Sequence, residues 1–211
     1  MNGIDIKVVA FDCDGVMFDT TQSNKAYYNK ILAYFEKPSM TDEQFHFIHM
    51  HTVNDSIDYL FPDREMRQKA EIVRRDMNYS SLIPYMKIEP HLKPLINKLR
   101  PAYKTAVVTN RSDTMSGVLS EHGLEGFFDI VISALDVTNP KPHPEGLLAI
   151  LNRFNCLPHE AVYIGDSELD EIAARESGIP LIAYNNPSLS AAFHIQSLKE
   201  VEGILEINDK V

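Results

Sequence analysis

Five short apolar runs, each four or five residues long and bounded by Gly, Pro, Asp or Asn nearby, constrain this chain more than any other feature. They lie at residues 7–11 (KVVAF), 105–109 (TAVVT), 130–133 (IVIS), 161–164 (AVYI) and 180–184 (PLIAY). A run this short, without polar alternation and rich in valine and isoleucine, reads as a strand buried on both faces. Segments with helical spacing separate the runs. Leu92, Leu95, Ile96 and Leu99 form one stripe, and Leu147, Leu148, Ile150 and Leu151 fall within 145–154. Residues 113–122 end at Gly123, suited to a left-handed helix cap, and residues 168–177 end before Gly178. Strand and helix in alternation predict an α/β fold, a Rossmann-like parallel sheet with right-handed crossovers.

One stretch breaks the rhythm. From Thr20 to about Lys87 only helical patterns occur, at 24–35, 41–50, 54–60 and 64–79, punctuated by Pro38, Pro62 and Pro84. So long an insertion is not a simple crossover. It predicts a smaller, all-helical cap (19–87) set after the first strand of a core built from 1–18 and 88–211.

Polar residues gather where the strands end. Asp12 follows the first run, Thr109 and Asn110 the second, and Gly165 and Asp166 the fourth, while Lys141 lies in the loop after the third. Open α/β sheets bind their ligands at this carboxyl edge. Asp12 and Asp14, two residues apart, repel unless something compensates them, and Mg²⁺ is the hard, oxygen-seeking cation that does so. Asp166 and Asp170, one helical turn apart, complete its surroundings. A carboxylate that attacks phosphorus forms an acyl phosphate, splitting one hard displacement into two. A second carboxyl then has to protonate the leaving oxygen and deprotonate water, and Asp14 is placed for that. Lys141, the Thr109 hydroxyl and loop N–H groups are the donors for the phosphoryl oxygens.

Charge tests this reading. The formal net charge is −10, which excludes a broad nucleic-acid face and opposes an anionic substrate, so the site itself has to reverse the field. Cys13 and Cys156 show no pairing pattern, which suggests a reducing cytosol. The first fifteen residues do not read as a signal peptide, and no apolar run approaches the ~20 residues of a membrane span. The expectation is a cytoplasmic protein, neither membrane- nor nucleic-acid-bound, with a mild preference for a monomer.

The motifs Asp12-Cys13-Asp14-Gly15-Val16, Thr109-Asn110, Lys141-Pro142 and Gly165-Asp166-Ser167-x-x-Asp170 resemble, in order, the four motifs of the haloacid dehalogenase-like superfamily. Asp19-Thr20, Asp136-Val137 and Ala173-Ala174-Arg175-Glu176-Ser177-Gly178 agree with it, and the likeness runs from about Val8 to Ile204. It implies a helical C1 cap that closes over the site. It also implies Asp12 as nucleophile, Asp14 as acid/base and Lys141 as phosphate clamp, with Thr109 holding the phosphate. Mg²⁺ then falls to Asp12, the Asp14 backbone carbonyl and Asp166, with Asp170 as a ligand or support. The family's dehalogenases lack an acid at the position of Asp14; its presence here points to a phosphatase or a phosphomutase. The expected reaction is Mg²⁺-dependent hydrolysis of a small phosphate monoester, of the phosphoglycolate or sugar phosphate type. A mutase resembling β-phosphoglucomutase, and a non-catalytic binding protein on the same fold, are the alternatives.

Each fragment has a plain structural reading as well. Asp-x-Asp-Gly alone is a turn, Gly165-Asp166 a helix cap and Lys141 a solvated lysine. The four together at strand ends outweigh those readings. Cys13, flanked by the two acids, is expected to pack beneath the site. Arg111 either reaches the phosphate with Thr109 and Asn110 or opens the next helix. His46, His49 and His51 admit a zinc site but fit a polar cleft better. His51, Thr52 and Asn54 are taken as the cap loop facing substrate, although the glycine common there in the family is absent. His91 reads as structural. Pro140, Pro142 and Pro144 stiffen the loop that aims Lys141, with Pro144 starting the next helix.

Overall fold

The computed structural model describes residues 6–77 and 79–207. Six strands form one parallel sheet: β1 (Val8–Phe11), β4 (Lys104–Val108), β5 (Ile130–Ile132), β6 (Ala161–Gly165), β7 (Leu181–Tyr184) and β8 (Phe193–Ile195), in the order β5-β4-β1-β6-β7-β8. β1 is central, pairing with β4 on one side and β6 on the other. Alternate side chains feed two hydrophobic clusters. Val9 and Phe11 join Leu92, Leu95, Ile96, Leu99 and Val118 on one face. Val8 and Ala10 join Leu147, Ile150, Ala173 and Ala174 on the other. Helices α5 (Leu92–Leu99) and α6 (Met115–Glu121) therefore cover the first face, and α7 (Glu145–Phe154) and α8 (Glu168–Ser177) the second.

β2 (Phe18–Asp19) and β3 (Lys87–Ile88) pair antiparallel as a two-stranded ribbon. Between them run α1 (Thr21–Tyr34), α2 (Asp42–Met50), α3 (Val53–Leu60), α4 (Arg64–Asp76) and a 3₁₀ stretch at Tyr79–Tyr85. The ribbon brings the two ends of this helical insert together beside the end of β1. Tyr27, Ile31, Ile57 and Phe61 of the insert belong to the same buried cluster as Val9 and Phe11, so the insert's apolar interior is continuous with the core on that face of the sheet. Side-chain caps start three of its helices: Thr41 for α2, Thr52 for α3 and Asp63 for α4.

Several expected boundaries move. The second run ends as a strand at Val108, leaving Thr109 outside β4 at its carboxyl end. α1 begins at Thr21, whose N–H donates to the Asp19 carboxylate at 3.1 Å, ahead of the expected 24. α5 starts at Leu92, the first residue of the expected stripe, with Pro94 in its first turn, where a missing N–H costs no helical bond. α6 starts at Met115, not 113. The helix expected over 64–79 stops at Asp76; residue 78 lies outside the described residues and Tyr79 opens the 3₁₀ stretch. β8, a three-residue edge strand, and the ribbon, two residues a side, are too short to leave a periodic signal. The last helix, α9 (Val201–Ile204), is a single turn against the first face.

His91 is structural, as expected. Buried Glu89 accepts from the backbone N–H of His91 at 2.5 Å and of Leu198 at 3.2 Å, tying the start of α5 to the chain's last turns. The Ser197 hydroxyl and Glu89 both meet Nδ1 of His91, which adds to the anchor.

Candidate active site

Three acids converge at the ends of β1 and β6. Carboxylate oxygens of Asp12, Asp166 and Asp170 lie within 4.8 Å of one another. Asp12 continues β1, its N–H donating to the Ile164 carbonyl at 2.8 Å, and it is buried. Gly15 makes room for the second acid. Its φ is +86°, and a Cβ there would stand 2.1 Å from Oδ2 of Asp166. Gly165 does the same for the third, since a Cβ at that position would meet Cβ of Asp170 at 2.4 Å.

Asp170 is fully spoken for. One oxygen accepts from Lys141 Nζ at 2.6 Å and the Tyr163 hydroxyl at 2.7 Å. The other accepts from the Ser167 hydroxyl at 2.6 Å and the N–H groups of Ser167 and Asp166 at 3.0 and 3.1 Å. This is the capping box of α8, used to position a lysine. Burial opposes the charge of Asp170, yet Lys141, Ser167 and Tyr163 hold its carboxyl below the ordinary range. Lys141 reaches Asp12 Oδ1 at 2.8 Å; burial opposes its charge, but the two acids more than offset this and raise its pKa above the ordinary lysine value.

Asp12 and Asp166 are left short. Oδ1 of Asp12 is buried and meets the Lys141 ammonium, which it shares with Asp170. No protein donor among the described residues hydrogen-bonds the Asp166 carboxylate. Burial pushes Asp12 up to about 7, with Asp170 and Asp14 adding to the effect and Lys141 opposing it. Burial, then the charges of Asp170 and Asp12, drive Asp166 well above the carboxylate range. One ammonium faces more negative charge than it neutralises, so a divalent cation fits this donor set.

Asp14 sits in the opposite condition. Arg111 grips it with both arms, Nε to Oδ2 at 3.0 Å and Nη2 to Oδ1 at 2.6 Å. Burial raises its pKa, but the guanidinium more than reverses this and brings it to about 2. Arg111 thus reaches the site and does not open the next helix, whose first residue is Met115; its partner is Asp14. Thr109 is buried, its hydroxyl accepting from the N–H of Arg111 at 3.1 Å and keeping its own proton to donate. Asn110 braces the loops, its amide donating to the carbonyls of Lys141 at 2.9 Å and Met50 at 3.2 Å. Pro144 stands just before α7, and the preceding loop delivers Lys141, as the prolines suggested.

These groups line a cavity of about 80 Å³ whose far wall is the helical insert. His51 lines it, its ring stacked on Phe47 with centroids 3.8 Å apart. Asn54 does not. Thr52 caps α3, which turns Asn54 to the exposed side, onto a neighbouring groove. His49, Asn24, Tyr79 and Arg74 occupy the wall instead. None was singled out for substrate, because helical period shows which face is apolar and not which polar residue a turn aims. Burial holds His49 below its ordinary pKa, and its ring meets Asn24 at 3.4 Å. Among the described residues, the cluster able to hold a metal is the acidic one, not the histidines. Tyr163, a hydroxyl inside an apolar strand, was legible as a group needing a partner; it lies 2.9 Å from Lys141. Cys13 is fully buried among Val9, Phe11 and Met17, and burial pushes its thiol up, so it packs beneath the acids.

The family model described as haloacid dehalogenase-like hydrolase matches residues 9–184, from β1 through β7. The chain belongs to the haloacid dehalogenase-like hydrolase family. Among its relatives, pyrophosphatase PpaX of Bacillus pumilus (strain SAFR-032) is 30% identical over 182 residues, covering 84% of this chain and 82% of that protein. The phosphoglycolate phosphatase of Nitrosospira multiformis is 27% identical over 186 residues, covering 82% and 80%. A solved haloacid dehalogenase-superfamily hydrolase of subfamily IA, variant 1, from Geobacter sulfurreducens PCA superposes with a TM-score of 0.79 at 36% identity, over 97% of this chain and 98% of that one. The six-stranded parallel sheet with helices on both faces is thus the fold of a haloacid dehalogenase-like hydrolase. No helix among the described residues is long and apolar enough to cross a membrane.

Proposed function

We propose that this hydrolase is a Mg²⁺-dependent phosphatase of small phosphate monoesters, of the phosphoglycolate or sugar phosphate type, acting in the cytoplasm. The observation that carries the reading is the pair of undercompensated carboxylates, Asp12 and Asp166, beside the Lys141 ammonium in a cavity lined by Thr109. Residues 19–87 serve as the cap over the core of 1–18 and 88–211. Asp12, the Asp14 backbone carbonyl and Asp166 would hold the metal, which when bound supplies charge neutralisation at the transferring phosphoryl group. Asp170, whose oxygens are already taken, is better suited to orienting Lys141 than to ligating.

An Asp12 oxygen attacks phosphorus, the bond to the leaving oxygen breaks, and that oxygen takes a proton from Asp14, which first has to leave the Arg111 fork and take up that proton from solvent or from a protonated phosphate oxygen of the substrate. Water then attacks the aspartyl-phosphate, giving a proton to Asp14 and releasing inorganic phosphate. Lys141 and the Thr109 hydroxyl meet the charge on the phosphoryl oxygens. Asn110 holds the Lys141 loop in place, and Arg111 and His51 contribute from the two walls.

The names of the relatives support a small phosphorylated substrate, and likeness to PpaX favours inorganic pyrophosphate as a second reading. Release of phosphate from phosphoglycolate, sugar phosphates and pyrophosphate, with and without Mg²⁺, tests the reading. Asp12→Asn should fold and lose Mg²⁺-dependent hydrolysis of p-nitrophenyl phosphate by at least about a thousandfold. Full activity in that variant would end the proposal, and return of phosphoryl to a bound sugar without free phosphate would make the protein a mutase.

A further inference from the structure

Every charged nitrogen of Arg111 is engaged. Nε and Nη2 hold Asp14, Nη1 donates to the Thr114 hydroxyl at 3.0 Å, and Nη2 also stands 3.4 Å from the Tyr79 hydroxyl. The guanidinium lies over the Tyr79 ring, 5.1 Å from its centroid, and its side chain is only 7% exposed. The consequence falls on Asp14. Both of its oxygens face the fork, so the carboxylate is turned to the arginine and only its outer lone pairs are left to meet a leaving group or a water. As the chain stands, the group proposed as acid and base is disengaged.

A phosphoryl group offers the same paired oxygens as a carboxylate, with more charge, and a guanidinium binds either through two parallel hydrogen bonds. Arg111 lines the cavity beside Thr109 and Lys141, so an anion entering there competes with Asp14 for the fork. The competition occurs at the seam with the helical insert. Tyr79 donates to Asn24 at 2.7 Å, and Asn24 meets His49, so the fork leans on a polar chain that runs through the insert.

We propose that Arg111 is an exchange residue: it holds Asp14 closed in the free protein and transfers to the phosphate anion on binding, which releases Asp14 for proton transfer. The proposal rests on the phosphatase reading above and assigns the positioning of its acid/base to a residue outside the four motifs. It gives hydrolysis a built-in order, because the proton carrier is freed only when an anion occupies the cavity.

The test is a binding cycle rather than a rate. Inorganic phosphate is titrated by calorimetry, with Mg²⁺ present, into the wild-type protein, Asp14→Asn, Arg111→Gln and the double variant, each checked for fold by near-ultraviolet circular dichroism. If the fork is shared, removing the Asp14 charge frees it, and phosphate binds Asp14→Asn on the order of tenfold more tightly than wild type. In the Arg111→Gln background the same change should give no more than about threefold, the residue of simple charge removal. An equal gain in both backgrounds overturns the exchange and leaves the phosphatase reading intact. Absence of phosphate binding in all four proteins removes both. Should Arg111→Gln not fold, Arg111→Lys, which keeps the charge without the fork, takes its place in the cycle with the same two outcomes.

Discussion

Two sides of one cavity treat their carboxylates in opposite ways. Around Lys141, Asp12 and Asp170 share a single ammonium with Asp166 close by, and burial leaves Asp12 at about 7. Around Arg111 there is one acid to one base, bidentate, and Asp14 falls to about 2. Asp12 and Asp14 are two residues apart in the chain, so nothing local separates them; the partner each meets from a distant strand end does. The first side is electrostatically incomplete and suited to a cation and an anion arriving together. The second is complete and has to be opened before it does chemistry.

Removing the base from the incomplete side should have the larger effect. Lys141→Met leaves Asp12 and Asp170 buried without a counter-charge, and should lower stability of the metal-free protein by about 3–5 kcal/mol in urea denaturation. Less than about 1 kcal/mol would mean that the ammonium is not what holds these acids.

The pH response separates the sides next. A carboxyl whose pKa is raised on folding binds protons that the unfolded chain releases, so the folded state loses stability as pH climbs from the ordinary value near 3.8 to about 7. Metal-free protein should therefore become less stable by roughly 2–4 kcal/mol between pH 4 and 7.5 through Asp12, with Asp166 acting in the same direction. Asp12→Asn should flatten much of that slope. Asp14, lowered to about 2, behaves in reverse: its contribution is present above the ordinary value and is lost only as pH falls through about 2. A wild-type slope of the opposite sign would break the comparison.

Gly15→Ala sharpens it further. The added Cβ meets Asp166 Oδ2 at 2.1 Å on a backbone with φ of +86°, so Asp166 must move, at a stability cost of about 1–3 kcal/mol. Because Arg111 and Asp14 pair on the other side, calorimetry should show Mg²⁺ affinity falling more than phosphate affinity. The smallest effect belongs to Tyr163→Phe, which removes one of the partners of Lys141 and Asp170 and should cost about 1 kcal/mol.

Much of this was legible in sequence because it is local. The runs of Val, Ile and Ala became strands, and α7 and α8 span 145–154 and 168–177 as their spacing predicted, with Asn155 and Gly178 adopting left-handed backbone at their ends. Acids that follow such strands have one edge to gather at, so Asp12, Asp166 and Asp170 meet. What stayed hidden is set by distance along the chain. Arg111 finds Asp14 across 97 positions, and no spacing announces that pair. The wall supplied by the insert was hidden for a related reason. Asn54 and His49 are similar polar residues near one turn, and only the capping of α3 by Thr52 sends the first outward while the second lines the cavity.

Magnesium titration tests the central claim most directly. By calorimetry, wild-type protein should bind one Mg²⁺, and Asp12→Asn and Asp166→Asn should each weaken it by tenfold or more, on the order of a lost charged ligand. Wild-type affinity for Mg²⁺ in both variants would contradict the account, since the two undercompensated carboxylates would then serve no shared cation.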